Sequence, residues 1–191
     1  MQVDTDPFFA VDKGSITADP QTPSLVYAVW DRLTNQDVIN SPLAHGPAWF
    51  ARSTDAGASW EAARNIYDPG ADAQTIGNAV AVLPDGTLLN AMLVLRNLST
   101  TTTAQIAVLR STDKGLTWPG PAITVSDVEN VVLRDPKTTA PVRSGGALPS
   151  IAVDASNGHV HVVWEDSRLG GTTYNGIALS TSTIWHPASL E

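Results

Sequence analysis

The amino-acid sequence predicts an all-β protein made of three similar repeats. Residues 52–60 and 110–118 agree at six of nine positions, at an offset of 58 residues. Short runs rich in Val, Ile, Thr and Trp are bounded by turn-forming residues, a pattern that is typical of strands. No segment shows a sustained period of 3.6 residues with capping residues, so almost no helix is expected.

Each repeat predicts a four-stranded antiparallel sheet. A first strand, near Ile16, Ala79 or Ile151, leads through a tight turn into a second at 25–30, 87–95 or 159–164. A variable loop then leads to a third strand at 48–53, 104–111 or 176–180, and fourth strands follow at 61–66 and 121–125. Sheets of this kind repeated around an axis form a β-propeller. The chain is therefore predicted to be a single partial propeller over residues 1–191, with blades at about 11–68, 74–127 and 147–187.

The repeated nine-residue segment predicts a tight turn whose residues serve folding. Its Asp can accept hydrogen bonds from the backbone two residues on, its Gly tolerates a positive φ, and its Trp can bury a large apolar surface. The structural residues are expected to be Ser53, Asp55, Gly57, Trp60, Ser111, Asp113, Gly115 and Trp118. Calcium binding by Asp55 and Asp113 is the alternative, but the segment offers too few oxygen donors at suitable spacing.

These two turns resemble the Asp-box, or bacterial neuraminidase repeat, of sialidase-like β-propellers. The strands that end in Trp30-Asp31-Arg32 and in Trp164-Glu165-Asp166-Ser167-Arg168 add to the similarity, and the whole chain resembles part of a bacterial exo-α-sialidase-like protein. The third repeat departs from the pattern, because the segment from Ser180 to Trp185 contains neither Asp nor Gly. The resemblance implies a six-bladed ring, of which three blades are half.

Three blades leave two blade faces open, since propellers need about four to eight blades to close. Large exposed apolar faces usually mark an interface. We therefore expect a homodimer, or pairing with blades that this sequence lacks. An open, non-propeller arrangement of the blades is the alternative.

The resemblance also implies candidate site residues on the face opposite the repeated turns. Sialidases hold the substrate carboxylate with three arginines, attack with a Tyr paired to a Glu, and use an Asp as acid/base. Guanidinium groups suit this role because they bind a carboxylate through two hydrogen bonds. The expected arginine clamps are Arg32, Arg143 and Arg168, the acid/base is Asp166, and the nucleophile pair is Tyr174 with Glu165. In the alternative interpretation, Asp31–Arg32 and Asp166–Arg168 are ion pairs that recur at the rim of each blade.

Composition excludes several classes of function. The chain has 19 acidic and 11 basic residues and a net charge of −8, which disfavours nucleic acids and anionic membrane surfaces as partners. There are no cysteines, so disulfides and thiol nucleophiles are excluded. No apolar run approaches the ~20 residues of a membrane span. His159 and His161 alternate on one strand without a third ligand, so no metal and no cofactor are predicted.

The sequence thus predicts a propeller segment that recognises a glycan or a protein, with catalysis incomplete in this chain. A sialidase-type glycoside hydrolase and a purely structural, protein-binding propeller are the alternatives. The resemblance implies an extracellular or periplasmic protein. The first residues, Met1–Pro7, do not have the pattern of a signal peptide, so we expect that a leader is missing from this sequence.

Overall fold

A computed structural model describes residues 9–34, 44–142, 146–171 and 174–183 of the chain. These residues form strands and a single short 3₁₀ helix, Ser167–Gly170, so the all-β prediction is confirmed. The described strands are β1 (Ala10–Ala18), β2 (Val26–Leu33), β3 (His45–Gly46), β4 (Ala48–Ser53), β5 (Arg64–Tyr67), β6 (Ala73–Val82), β7 (Leu88–Arg96), β8 (Thr103–Ser111), β9 (Ile123–Val128), β10 (Ser150–Val153), β11 (Val160–Asp166) and β12 (Gly176–Ser182).

The strands form three successive sheets, as the repeats predict. The first sheet has the order β1-β2-β4-β5, the second β3-β6-β7-β8-β9, and the third β10-β11-β12. Neighbouring strands are antiparallel except for the two-residue β3, which pairs parallel to β6 and was not predicted. In the described residues the third sheet has three strands, and the last part of its predicted blade, residues 184–187, lies outside them.

The core consists of two apolar layers, one on each side of the second sheet. Side chains alternate across a strand. Leu88 and Met92 of β7 therefore pack towards the first sheet, and Leu89 and Leu93 pack towards the third. Burial on both faces explains why the sequence of β7 is apolar almost throughout rather than alternating.

The two repeated turns have the same hydrogen-bond geometry. In the first turn, Ser53 Oγ donates to Asp55 at 2.7 Å, the amide of Gly57 donates to Ser53 Oγ at 2.8 Å, and the amide of Ser59 donates to Asp55 Oδ1 at 2.8 Å. The second turn repeats these bonds through Ser111, Asp113, Gly115 and Thr117 at 2.8–2.9 Å. The Asp thus bonds to the amide four residues on, rather than two residues on as the sequence suggested.

The hydrogen bonds of the first turn hold the Asp55 carboxylate in its charged form. Donation by the Ser59 hydroxyl, with the Ser59 amide and the Ser53 hydroxyl, lowers the pKa of Asp55 to about 2. In the second turn, Trp118 packs edge-on against Phe50 of the first sheet, with ring centroids 5.3 Å apart. This turn therefore also joins two sheets.

The strands of all three sheets end at the same two faces of the protein. We call the end with the repeated turns the turn face, and there Lys114 Nζ of the second sheet reaches Asp19 of the first at 3.1 Å. We call the other end, where β2, β7 and β11 finish at Leu33, Arg96 and Asp166, the loop face. No helix in the described part of the chain is long and apolar enough to cross a membrane.

Candidate functional site

The loop face contains the predicted site residues that the structure describes, but it does not bring them all together. Glu165, Asp166 and Arg168 lie in one segment, at the end of β11 and in the 3₁₀ helix. Tyr174 lies in the loop that follows, and Arg32 lies in β2 of the first sheet. Arg143 lies outside the described residues.

Asp166 and Arg168 form an ion pair. Arg168 donates to the buried Asp166 carboxylate from its side chain, at 2.6 Å from one terminal nitrogen, and from its backbone amide at 2.9 Å. Trp164 Nε1 donates to the same carboxylate at 3.0 Å. The Arg168 side chain, helped by the Arg168 amide and by Trp164, lowers the pKa of Asp166 to about 2. A catalytic acid needs a raised pKa, so this geometry favours the interpretation of Asp166–Arg168 as a structural pair.

We expect replacement of Arg168 by Met to raise the pKa of Asp166 and to destabilise the fold by about 1–3 kcal/mol at pH 7, because a buried carboxylate loses its charged donor. A carboxyl group with a lowered pKa contributes stability above its unfolded pKa and loses it as the pH falls. The loss caused by Arg168→Met should therefore shrink between pH 4 and pH 2, as measured by urea unfolding.

The matched control is Arg134→Met, since the Arg134 side chain is exposed and donates to a backbone oxygen, Thr139 O, at 3.0 Å. Its effect should stay within about 0.5 kcal/mol at every pH. Equal losses in the two variants would contradict a special role for the Asp166–Arg168 pair.

No described contact joins Glu165 to Tyr174. Asn175 donates from Nδ2 to Glu165 Oε1 at 2.7 Å, and its Oδ1 accepts from the amide of Val131 at 3.0 Å. The Tyr174 ring lies against Gly170 and its side chain is largely exposed. The structure thus connects Glu165 to the segment around Val131. The predicted role of Glu165 as the partner of a Tyr nucleophile stays an expectation.

Arg32 lies between two aromatic rings. Its guanidinium carbon is 4.1 Å from the ring centroid of Phe9 and 4.0 Å from that of Trp49. Flat guanidinium groups stack well on aromatic faces. Arg32 is buried in this position, so the described contacts support a structural role rather than a clamp on a ligand.

Asp31 is held by the second sheet rather than by the neighbouring Arg32, which corrects the expected rim pair. Its carboxylate accepts from Thr75 Oγ1 at 3.0 Å, from the amide of Gly77 at 3.1 Å, and from Asn78 Nδ2. The side chain is fully buried. Burial raises the pKa of Asp31 to about 7, although the three hydrogen bonds act in the opposite direction. This carboxylate lies between two sheets and has no surface on which a ligand could bind.

Among the described residues, one accessible cavity on the loop face is a groove beside Ser167, in the Glu165–Arg168 segment. It has a volume of about 700 Å³ and runs between the ends of β8 and β9 and the 3₁₀ helix. Seven of the ten residues that line it are polar: Thr102, Thr103, Gln105, Asp127, Glu129, Asn130 and Ser167. The walls are joined by hydrogen bonds, because Ser167 donates from its amide and its hydroxyl to Glu129 O, and Gln105 donates to Asp127 at 2.8 Å.

The predicted site residues Glu165, Asp166 and Arg168 lie next to Ser167 of this groove, but no predicted site residue lines the groove itself. Most of the second-sheet residues along the groove fall outside the predicted strands, because the third strand of the second blade was expected at 104–111 and that blade was expected to end at about residue 127. The signal available in the sequence for this side of the groove was the cluster of carboxylate and amide side chains at the end of β9 and directly after it. His161 Nδ1 bonds with Thr181 Oγ1 at 3.0 Å, and no group of three potential metal ligands occurs among the described residues.

No family model matches the chain, and no curated protein matches it. Solved structures share the fold at low sequence identity. An endo-arabinase from Bacteroides thetaiotaomicron VPI-5482 aligns with a TM-score of 0.51 and 13% identity, over 94% of this chain and 58% of that one. A protein of unknown function from Dyadobacter fermentans DSM 18053 aligns with a TM-score of 0.53 and 19% identity, over 92% and 51%. Zg3597, a family 117 glycoside hydrolase from the marine bacterium Zobellia galactanivorans, aligns with a TM-score of 0.57 and 10% identity, over 97% and 57%.

These likenesses show the fold, which is that of a propeller-type all-β protein of antiparallel sheets. Two of the three proteins are named as glycan-cleaving enzymes and none as a sialidase, so the resemblance noted in the turns is supported at the level of fold and not of sialidase identity. The chain spans between 51% and 58% of the length of these structures.

Proposed function

We propose that this chain recognises a glycan, and that the groove on the loop face is the binding site. The observation that carries the proposal is the lining of the groove, in which exposed Asp127 and Glu129 carboxylates and the Gln105 and Asn130 amides lie around a volume of about 700 Å³. Sugar hydroxyl groups both donate and accept, so carboxylates and amides placed together suit them. The shared fold with two glycan-cleaving proteins supports the same class of ligand.

The charge of the groove favours a neutral sugar over an acidic one. Asp127 and Glu129 provide two carboxylates at the groove, and the whole chain has a net charge of −8. The nearest described arginine, Arg168, donates to Asp166, Ser126 Oγ and Asp127 O rather than into the groove. A ligand carboxylate would therefore meet like charges there, which costs binding energy.

Binding without turnover is the activity that the described residues support best. The predicted acid/base, Asp166, has a pKa of about 2 because of Arg168, and this is far from the operating pH of a general acid. The resemblance implies a more specific alternative function, the hydrolysis of sialosides. Binding of another protein is the second alternative.

The test is a titration of the protein with a panel of neutral oligosaccharides and sialyllactose, followed by calorimetry on the ligand that binds best. We expect binding of a neutral oligosaccharide and a roughly tenfold loss of affinity in Glu129→Gln and in Asp127→Asn, because a hydrogen bond to a charged group contributes about 1.5–3 kcal/mol. Asp85→Asn is the matched control, since Asp85 lies in a turn at the opposite end of the second sheet.

Unchanged affinity in both groove variants, or no binding to any glycan, would contradict the proposal. Turnover of a fluorogenic sialoside that Asp166→Ala abolishes would instead support the sialidase alternative. Binding of sialyllactose in preference to neutral sugars, without turnover, would contradict the assignment of a neutral ligand.

A further inference from the structure

The first and third sheets each present an outer face with exposed apolar side chains. On the third sheet, Ile177 is 73% exposed and Leu179 is 61% exposed. On the first sheet, Ile16 is 66% exposed. In both sheets these residues lie within strands, at positions where the repeats allow a comparison with buried residues of the other sheets.

The exposed residues of the third sheet occupy positions that are buried in the first and second sheets. Leu179 corresponds to Phe50 and Val108, and the three pair across their hairpins with the same position of the central strand: Phe50 with Val29, Val108 with Ala91, and Leu179 with Val163. Phe50 and Val108 are fully buried because the next sheet along the chain packs on them. Ile177 likewise corresponds to the fully buried Ile106 of β8.

The exposed residue of the first sheet occupies the complementary position. Ile16 corresponds to Val80 of the second sheet and Ile151 of the third, and each of the three lies on the strand that precedes and pairs with the central strand of its sheet. Val80 is buried against the first sheet, and Ile151 packs against the layer between the second and third sheets. Ile16 therefore lies on the side of its sheet that elsewhere packs on the preceding sheet.

The repeated turns show the same asymmetry. A Cβ atom added to Gly115 would lie 2.6 Å from Cζ of Phe50, because the second turn packs on the preceding sheet. A Cβ atom added to Gly57, the matching residue of the first turn, would meet nothing within 4 Å. Since Leu179 corresponds to Phe50, a third sheet placed beside the first turn would bring Leu179 to Gly57 and Trp60.

We propose that two copies of this chain pack head to tail, with the outer face of the third sheet of one copy on the outer face of the first sheet of the other. The contact would repeat the sheet-to-sheet packing that the chain already contains twice, at matching positions. Two such contacts close a ring of six sheets, which lies within the range of about four to eight known for propellers. Head-to-tail contacts that close after a fixed number of copies give a finite assembly rather than a filament.

The test is the mass of the protein in solution, measured by sedimentation over a range of concentrations. We expect a species of twice the 20.1 kDa chain mass. Leu179→Lys and Ile16→Lys should each weaken association by roughly a hundredfold or more, because each buries an unpaired charge at both contacts of the ring. Leu169→Lys is the matched control, since Leu169 is also 61% exposed but lies on the 3₁₀ helix, and it should leave the dimer unchanged.

Mixing the two disrupted variants tests the head-to-tail arrangement. In a dimer of one Leu179→Lys chain and one Ile16→Lys chain, one of the two contacts has both wild-type faces, so association should partly recover. Circular dichroism should be the same for all variants, since each replaced side chain is exposed in the single chain.

A monomer at all concentrations would overturn the proposal, as would a dimer that tolerates Leu179→Lys. A dimer that Leu179→Lys disrupts but Ile16→Lys does not would show that the third sheets pack on each other, and would equally overturn it.

Discussion

The free energy of unfolding is expected to fall by up to about 4 kcal/mol between pH 4 and pH 8, because of Asp31 alone. Burial between the first and second sheets raises the pKa of this carboxyl group to about 7, while in the unfolded chain it is about 3.9. Between these pH values the folded protein holds a proton that the unfolded chain has lost. Its stabilising effect is complete below about pH 4 and is lost as the pH rises through 7.

The variant Asp31→Asn isolates the contribution of this residue to the pH dependence of stability. Asparagine does not ionise, so the part of the pH dependence due to residue 31 should disappear from urea unfolding curves recorded at pH 4, 5.5, 7 and 8. The variant should be less stable than the wild type at pH 4, because an amide nitrogen would face the Gly77 amide, and the difference should narrow or reverse by pH 8. The pKa values of Asp55 and Asp166 in the folded protein are about 2, so both groups stay ionised there from pH 4 to pH 8.

Asp12→Asn is the matched control for Asp31. Asp12 pairs with Asp31 across β1 and β2, but its side chain is exposed. Its negative charge contributes to the raised pKa of Asp31, so the variant should keep most of the pH dependence with a small shift towards lower pH. A wild-type and an Asp31→Asn protein with parallel pH profiles would show that Asp31 stays ionised in the fold.

The second large effect is expected for Gly115→Ala, which should destabilise the protein by about 3 kcal/mol. Gly115 has a φ of 80°, a conformation that costs a non-glycine residue about 1 kcal/mol or more. Its added Cβ would also lie 2.6 Å from Cζ and 2.9 Å from Cε1 of Phe50, a fully buried ring in the layer between the first two sheets. The Phe50 ring is also packed against the rings of Tyr27 and Trp118, with centroids 6.1 Å and 5.3 Å away.

Gly57→Ala provides the comparison that isolates the contact with Phe50. Gly57 has a φ of 90° at the matching position of the first turn, but there is open space around its Cβ position. Gly57→Ala should therefore lower the free energy of unfolding by only about 1 kcal/mol. Both variants should be measured by urea unfolding in the Leu179→Lys chain, so that no second copy covers the first turn. Equal losses at the two glycines would contradict the packing of the second turn on the first sheet.

Much of the fold could be predicted from the sequence, because its signals are local and repeated. The Ser, Asp and Gly of each turn bond within a few residues of one another, so the same segment forms the same turn at both places. Turn residues between short apolar runs also indicate antiparallel hairpins. The two-residue parallel strand β3 has no such local signal, and it was not predicted.

The candidate site was less predictable, because its residues come from distant parts of the chain. The segment Glu165–Arg168 was expected at the loop face and lies there. The opposite wall of the groove combines residues 102–105 with 127–131, which are adjacent only because β8 and β9 pair and because Ser167 bonds to Glu129. Asp31 and Arg32 looked like an ion pair in sequence, yet adjacent residues on a strand point to opposite faces. Asp31 bonds to the second sheet, and Arg32 lies between Phe9 and Trp49.

The sequence by itself determined most of the strands, the repeated turns and the three sheets, since hairpins and Ser-Asp-Gly turns depend on contacts between near neighbours. Only the tertiary structure decided which charges are neutralised, which rings hold a guanidinium group and which apolar strands remain exposed. Those properties depend on what the neighbouring sheet presents, and a neighbouring sheet lies about 60 residues away in the chain. Leu179 and Phe50 hold the same position in their sheets, but the second sheet packs on Phe50, whereas no sheet among the described residues packs on Leu179.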